Sequence, residues 1–351
     1  MSEPLGIDHY VALVAPVWSV REIRARIVGV QHETSDTVSL SLRPNHNWPG
    51  FRAGQHVSLT VTIDGVRHTR TFSISCAPSA GTALRLTIRA FRGGLVSNWA
   101  ARGARRGDIV LLGAPQGEFV LPEPGREPPR LLFVSGGSGL TPIMSMLDEL
   151  ALRGYTGSIL CVCYARREPL FAEALARLAG ELPGLRLVTH LTSQGAPHLS
   201  REVLDAADPE WRTSEAFVCG PAGLERSFSQ LWQREAPAGK LHVERFMLQP
   251  SAAVDSPAVD SESGTTSQPT IRFERSGVQV SGDSRTSLLV QAEAAGLRPA
   301  YGCRMGICHT CERTKQAGVV CDARTGERSG SGAERIRLCI SLPVSDVQLD
   351  L

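Results

Sequence analysis

The chain has 351 residues, a formal net charge of +2 and 42% hydrophobic residues. That length allows two or three domains with separate cores, and the near-neutral balance, with no basic stripe, excludes nucleic acid as an expected partner. No run approaches the roughly 18 to 20 apolar residues needed to cross a bilayer. The acidic, Pro16-interrupted start lacks the basic and long apolar regions of a signal peptide. Nine cysteines, three of them in one loop, therefore point to cofactor ligation in a reducing cytoplasm rather than to disulfides.

Residues 1–20 read as a short amphipathic helix, with Tyr10, Leu13 and Val14 as a packing stripe ended by Pro16. It either clamps onto the next domain or meets a partner or membrane surface. Over residues 21–125 the apolar period is two. REIRARIVGV, TVSLSL, HVSLTVTI, TRTFSIS, LRLTIRAF and DIVLLGAP form six short runs separated by Gly, Pro or Asp-Gly, the pattern of a small antiparallel barrel. Over 128–247 strand-like runs such as RLLFVSGG and SILCVCYA alternate with helical ones, which predicts a doubly wound parallel sheet. Residues 248–268 are small, polar and Pro-interrupted, as in a flexible tether. The last segment, 269–351, opens with a hairpin (TIRFERSG, VQVSG) and a helix (SLLVQAEAAG) before a cysteine-rich loop.

That loop, YGCRMGICHTC over 301–311, places Cys303, Cys308 and Cys311 in the C-x4-C-x2-C spacing of a plant-type [2Fe-2S] site. Gly302 and Gly306 suit a turn that curls round sulfide. The fourth thiolate is expected from Cys339, 27 residues beyond Cys311, in the apolar run RLCISLP. Cys321, nine residues beyond, is the competitor. Zinc sites usually pair two short cysteine knuckles, which this loop does not.

In the barrel, Arg70, Phe72 and Ser73 offer what a flavin requires: a cation for its phosphate, a flat apolar face and a hydroxyl near N5. Farther on, RGGLVSNW opens a helix at which Gly94, Ser97 and the first-turn amides can hold a phosphate. Ser97 would equally serve as a plain helix cap. In the sheet region Gly137, Ser138 and Gly139 lie at a strand-to-helix turn, with Thr141 and Pro142 as an expected N-cap and first helical residue. The third glycine of the usual dinucleotide fingerprint is replaced by Pro142. Cys219, Gly220 and Pro221 end a later strand, where a thiol would face the crevice; a buried inert cysteine is the competing reading. At the end of the second strand Arg166 and Arg167 favour the 2′-phosphate of NADPH over NADH, with Glu168 as an opposing sign.

Taken in order, RTFS, GGLVSNW, GGSGLTP, CGP and C-x4-C-x2-C…C resemble the ferredoxin-NADP reductase superfamily, in the flavodoxin/ferredoxin reductase subgroup that ends in a ferredoxin domain. The chain is similar to reductases that feed acyl-CoA desaturases and to phthalate dioxygenase reductase. The resemblance implies a flavin barrel, a pyridine-nucleotide sheet and a β-grasp [2Fe-2S] domain, with FAD preferred and FMN the alternative. It further implies that Arg70, Phe72 and Ser73 hold the flavin, that Ile88 and Arg89 run along its ribityl and phosphate, and that Gly94, Leu95, Val96 and Ser97 take the pyrophosphate. Gly137, Ser138, Gly139 and Thr141 would bind the nucleotide, Cys219, Gly220 and Pro221 would lie near the nicotinamide, and Glu244 and Phe246 would close the flavin pocket. The family usually has Tyr where this chain has Phe72, so ring contact is kept and the phenol hydrogen bond is lost.

The expectation is a cytoplasmic reductase that passes electrons from NADPH through FAD and the cluster to a fatty acyl desaturase. A Rieske ring-hydroxylating dioxygenase or a cytochrome P450 is the alternative acceptor, and a redox-sensing flavoprotein without turnover the non-enzymatic one. Ser73 and Cys219 would shape hydride-transfer geometry.

Overall fold

The computed structural model describes residues 15–81, 83–91, 93–245, 269–284, 286–301, 306, 309–323 and 326–351. The helix expected over 1–20 falls almost wholly outside these residues, as does the tether expected over 248–268; residues 15–20 form turns and bends. The chain divides into two compact units, Met1–Phe246 and Met247–Leu351.

The first unit begins with β1 (Ile23–Thr34), β2 (Thr37–Pro44), β3 (His56–Ile63), β4 (Val66–Ser73), β5 (Leu84–Arg89) and β6 (Ile109–Leu112). They pair antiparallel in the order β4-β3-β6-β1-β2-β5. A bridge between Ile74 and Leu86 joins the two ends and closes the barrel. Alternation puts Ile27, Leu40, Val57, Leu59, Leu86 and Ile88 inside. The β3–β4 hairpin turns through Asp64 and Gly65, whose φ angles of 51° and 77° suit the two-residue turn that matches strand twist. Helix α1 (Leu95–Arg102) covers the barrel with Val96 and Ala100.

Parallel strands follow: β7 (Arg130–Gly136), β8 (Ser158–Ala165), β9 (Leu185–Leu191), β10 (Glu215–Gly220) and β11 (Leu241–Arg245). Their order, β11-β10-β7-β8-β9, is the doubly wound arrangement expected from the alternating pattern, with the direction of winding reversing between β7 and β10. Helices α2 (Leu140–Leu152), α3 (Ala172–Glu181), α4 (Arg201–Ala207) and α5 (Ala222–Glu235) cover it.

Helix α2 also meets the barrel. Ser145 Oγ donates to the Cys76 carbonyl at 2.6 Å, and Arg85 Nη2 lies 3.3 Å from Asp148 Oδ2. Buried Glu149 accepts from Ser79 N at 3.3 Å and Ser79 Oγ at 3.1 Å, and pairs with Arg153 at 2.9 Å. Arg153 in turn reaches Glu127 at 2.7 Å and the Pro122 carbonyl at 3.0 Å.

The second unit is a mixed sheet ordered β13-β12-β18-β14-β16, with β12 (Thr270–Phe273) parallel to β18 (Val347–Leu349) and antiparallel to β13 (Val278–Ser281). Strands β14 (Glu312–Ala317) and β16 (Glu334–Arg337) complete it, and β15 (Val320–Asp322) pairs with β17 (Ser341–Pro343) separately. Helix α6 (Leu288–Ala294) packs Leu288, Leu289 and Ala292 against Ile271, Phe273 and Val347. This is the α+β ferredoxin architecture expected from the sequence.

Glu149→Gln removes the charge that Arg153 and Ser79 share in a buried setting. We expect a loss of about 2 kcal/mol in stability, read as a lower denaturant midpoint for the first unit's unfolding.

Candidate functional site

On β4, Arg70 and Phe72 share one face and Ser73 points to the other, because strand side chains alternate. Arg70 Nη1 donates to the Thr69 carbonyl at 2.7 Å, and Phe72 packs partly buried against the barrel core. Ser73 Oγ is buried and has no hydrogen-bond partner. A hydroxyl in that state is costly unless a ligand atom satisfies it, so it fits a bound flavin. Ile88 and Val96 lie inside the barrel core, so they can offer a ligand only backbone. Arg89 pairs with Asp36 at 2.8 Å, while Leu95 is exposed. Helix α1 starts after Gly94, which supplies no side-chain cap, and Ser97 Oγ donates to the Gly94 carbonyl at 3.4 Å. The first-turn amides are therefore not capped by Ser97.

The nucleotide motif sits where the sheet reverses. Gly137 (φ 56°) to Gly139 form a tight 3-10 turn that runs directly into α2. The helix thus begins earlier than expected: Gly139 is its N-cap, and Thr141 and Pro142 lie within the first turn. This corrects the assignment of Thr141 as cap. The Thr141 hydroxyl instead donates to the Ser138 carbonyl at 2.8 Å, and Pro142 is tolerated because first-turn amides have no helical acceptor. A Cβ on Gly139 would lie 2.1 Å from the Cys219 carbonyl oxygen, one on Gly136 2.6 Å from Pro221 Cδ, and one on Gly220 2.9 Å from Gly136 N. The GGSG and CGP turns are thus in backbone contact, and glycine is a packing requirement there. A Cβ on Gly137 would come 3.8 Å from Arg89 Nη1, so the barrel's Arg89 stands beside the nucleotide turn. Arg166 and Arg167 directly follow β8 and are exposed.

At the seam of barrel and sheet, β10 and β11 pair Cys219 with Glu244, and Glu244 Oε2 lies 4.0 Å from Cys219 Sγ. Its other oxygen, Oε1, lies 3.3 Å from His56 Nδ1 on β3, and His56 is the cross-strand neighbour of Ser73. Burial raises the Glu244 carboxyl above its ordinary range, and His56 opposes that shift. Burial, then the Glu244 charge, pushes the Cys219 thiol well up. The structure so brings Ser73, Cys219 and Glu244 together and adds His56, which sequence reasoning missed. Phe246 lies outside the described residues.

In the second unit Cys303 and Cys308 also lie outside the described residues. Cys311 and Cys339 are buried in one cluster, and the Gly306 amide donates to Cys339 Sγ at 3.2 Å. A hydrogen bond from Cys339 lowers the Cys311 thiol to about 6 against the opposing effect of burial. A low-pKa thiol at Cys311 beside a Cys339 sulfur that accepts from an amide fits a thiolate-ligated cluster. Gly306 has φ 73°, and a Cβ there would lie 2.4 Å from Ile340 Cδ1. The competitor Cys321 sits on β15, its thiol directed at the Gly326 carbonyl at 3.5 Å.

Family models for an oxidoreductase FAD-binding domain, an oxidoreductase NAD-binding domain and a 2Fe-2S iron-sulfur cluster binding domain match residues 25–121, 133–230 and 271–344. The chain is 36% identical over 358 residues to an NADPH oxidoreductase of Mycobacterium tuberculosis, covering 100% of this chain and 90% of that one. It is 30% identical to the ferredoxin reductase component of 3-ketosteroid-9-alpha-monooxygenase of the same species, covering 91% and 88%. Among solved structures it matches phthalate dioxygenase reductase with a TM-score of 0.64 at 22% identity, covering 94% and 98%, which shows a shared fold. Three cofactor domains in this order, on this fold, place the chain in the ferredoxin-NADP reductase superfamily, among the reductases that carry FAD, a pyridine-nucleotide site and a C-terminal plant-type [2Fe-2S] domain.

Proposed function

We propose that the protein is the reductase component of an oxygenase system, taking electrons from NADPH and delivering them singly to an oxygenase. One observation carries the reading: Ser73 of the flavin motif and Cys219 of the nucleotide motif both border the Glu244–His56 pair in a single buried seam. When bound, FAD would supply hydride acceptance and a [2Fe-2S] cluster single-electron transfer; the protein's part is to orient and tune. Ser73 offers its unpartnered hydroxyl to the flavin, and Arg70 and Arg89 offer positive charge to its phosphates. The Gly137–Gly139 turn and the Gly220 and Pro221 backbone admit the nucleotide, and Cys219 limits how the nicotinamide can lie. Arg166 and Arg167 supply the charge for a 2′-phosphate. Cys303, Cys308, Cys311 and Cys339 ligate the cluster.

The acceptor named for the 3-ketosteroid relative is a monooxygenase, which supports an oxygenase over the desaturase expected from the resemblance. No helix among the described residues is long and apolar enough to cross a membrane. The acceptor is tested by pairing the purified reductase with candidate oxygenases and a desaturase and following NADPH-coupled product formation. Coupling to the desaturase alone would overturn the oxygenase reading.

Cys308→Ser should abolish cytochrome c reduction while ferricyanide reduction by the flavin largely survives; equal loss of both would remove the proposed route. Gly139→Ala should weaken NADPH binding by about tenfold or more, since the added methyl must displace the β10 backbone, with flavin content unchanged by absorbance. Replacing Arg166 and Arg167 together by Ala should reduce the preference for NADPH over NADH by about tenfold, the size of one charge-assisted contact, measured as the ratio of kcat/KM values.

A further inference from the structure

His56 belongs to the barrel, yet its imidazole serves the sheet domain's carboxylate. It stands at the start of β3, with its backbone bridged both ways to Gln116: His56 N donates to the Gln116 carbonyl at 3.0 Å, and Gln116 N donates back at 2.9 Å. Gly117, at φ 108°, runs so close that a Cβ there would lie 2.9 Å from His56 Nδ1. The ring is therefore held in place by a loop with no side chain to spare. Its side chain is 10% exposed and that of Glu244 is 11% exposed. A histidine so confined has few orientations, and the one it adopts aims Nδ1 at Glu244.

The surroundings make this contact matter. Among the described residues, the titratable groups facing Glu244 are His56 from β3 and Cys219 from β10. Its neighbour Arg245 makes a bidentate pair with Glu225, at 2.9 and 2.8 Å. Among the described residues His56 is thus the nearer hydrogen-bonding partner of this carboxylate, at 3.3 Å against 4.0 Å for the Cys219 thiol. A buried carboxylate without such a donor protonates or swings toward water. On the far side of the ring, His56 Nε2 and the neighbouring Ser73 Oγ are both buried without partners, so two polar atoms at one spot await a ligand.

We propose that His56 is a positioning residue for the hydride-transfer site: it holds the Glu244 carboxyl group oriented against Cys219, with its Nε2 edge turned to the ligand beside Ser73. The inference rests on the reading that Ser73 meets flavin and Cys219 meets nicotinamide. The pH consequence has a definite sign. Glu244 already titrates above an ordinary carboxyl through burial, and removing His56 takes away the group that opposes the shift. Its titration then moves further up, and a rate that requires the carboxylate loses activity from the acid side first.

The test compares His56→Ala, His56→Asn and the unaltered holoprotein. In stopped-flow flavin reduction by NADPH, the Ala variant should fall about tenfold at pH 7, and its acid limb should rise by roughly one pH unit. The Asn variant, whose amide can occupy the Nδ1 position and donate, should recover to within about threefold. A second readout needs no turnover. In nitrogen-15 histidine spectra of the full chain, the His56 Nδ1 resonance, assigned by its loss in the Asn variant, should carry the proton toward Glu244 and shift when Glu244 becomes Gln. An Ala variant with unaltered rate and profile, an Asn variant as impaired as Ala, or a His56 resonance indifferent to Glu244→Gln would each overturn the proposal. Failure of the unaltered protein's flavin to accept electrons from NADPH would instead overturn the underlying functional reading, and the spectra would still decide the His56–Glu244 pair.

Discussion

Helix α2 has to satisfy two neighbours at once, and the site exists because it does. Ten of its thirteen residues are buried, far more than the single stripe a surface helix hides. Ile143, Met144 and Leu147 sit in the core beneath the sheet with Phe133 and Phe217. Met146 shares that core with Phe119 and Ala53 from the barrel side, and a Cβ on Gly54 would touch Met146 Cε at 2.4 Å. Apolar contact of this kind supplies adhesion but little direction. Direction comes from the polar contacts at its edge, Ser145 with Cys76, Glu149 with Ser79 and Asp148 with Arg85, together with Arg85 over the Phe171 ring at 5.2 Å.

That division of labour explains why chemistry can be built from residues far apart in the chain. His56 and Glu244 are separated by 188 positions, and each is carried by a different sheet. The first is fixed by the barrel's ladder and the second by the parallel pairing of β11 on β10. A misalignment of even one ångström at the seam would break their contact, which is why the seam needs directional bonds as well as apolar area.

Much of this was readable from the residues alone because period and punctuation agreed. The barrel strands alternate, the parallel strands are continuous apolar runs, and each is bounded by Gly, Pro or Asp. The illegible parts have physical reasons. The start of α2 was misplaced because Thr-Pro is a common cap signal, whereas the 3-10 turn through Gly137–Gly139 feeds the helix earlier. Ile88 and Val96 lie in the motifs but face the core, since alternation and helical phase decide where a side chain points. Cys339, by contrast, was expected over Cys321 from its apolar run; it shares a buried cluster with Cys311, and Cys321 lies on a separate two-stranded ribbon. His56 left no signal at all. Its partner is contributed by another domain, and a single histidine at a strand start reads as an ordinary half-buried residue.

The buried carboxylate is the costly feature of the seam, and its cost argues about its use. A histidine–carboxyl contact at this depth adds little net stability over a well-packed apolar pair, because desolvation offsets attraction. Glu149 shows what a structural acid looks like here: it is saturated by Arg153 and by two donors from Ser79. Glu244 is different. It has one imidazole on one oxygen and a distant thiol on the other, and that imidazole's own Nε2 and the neighbouring Ser73 Oγ are without partners. On the proposed function, a fold that saturates one buried acid and leaves another half-satisfied at the junction of barrel and sheet would keep the second for a ligand. Under that proposal the under-satisfied groups are where a bound cofactor and coenzyme would complete the network that the protein leaves open.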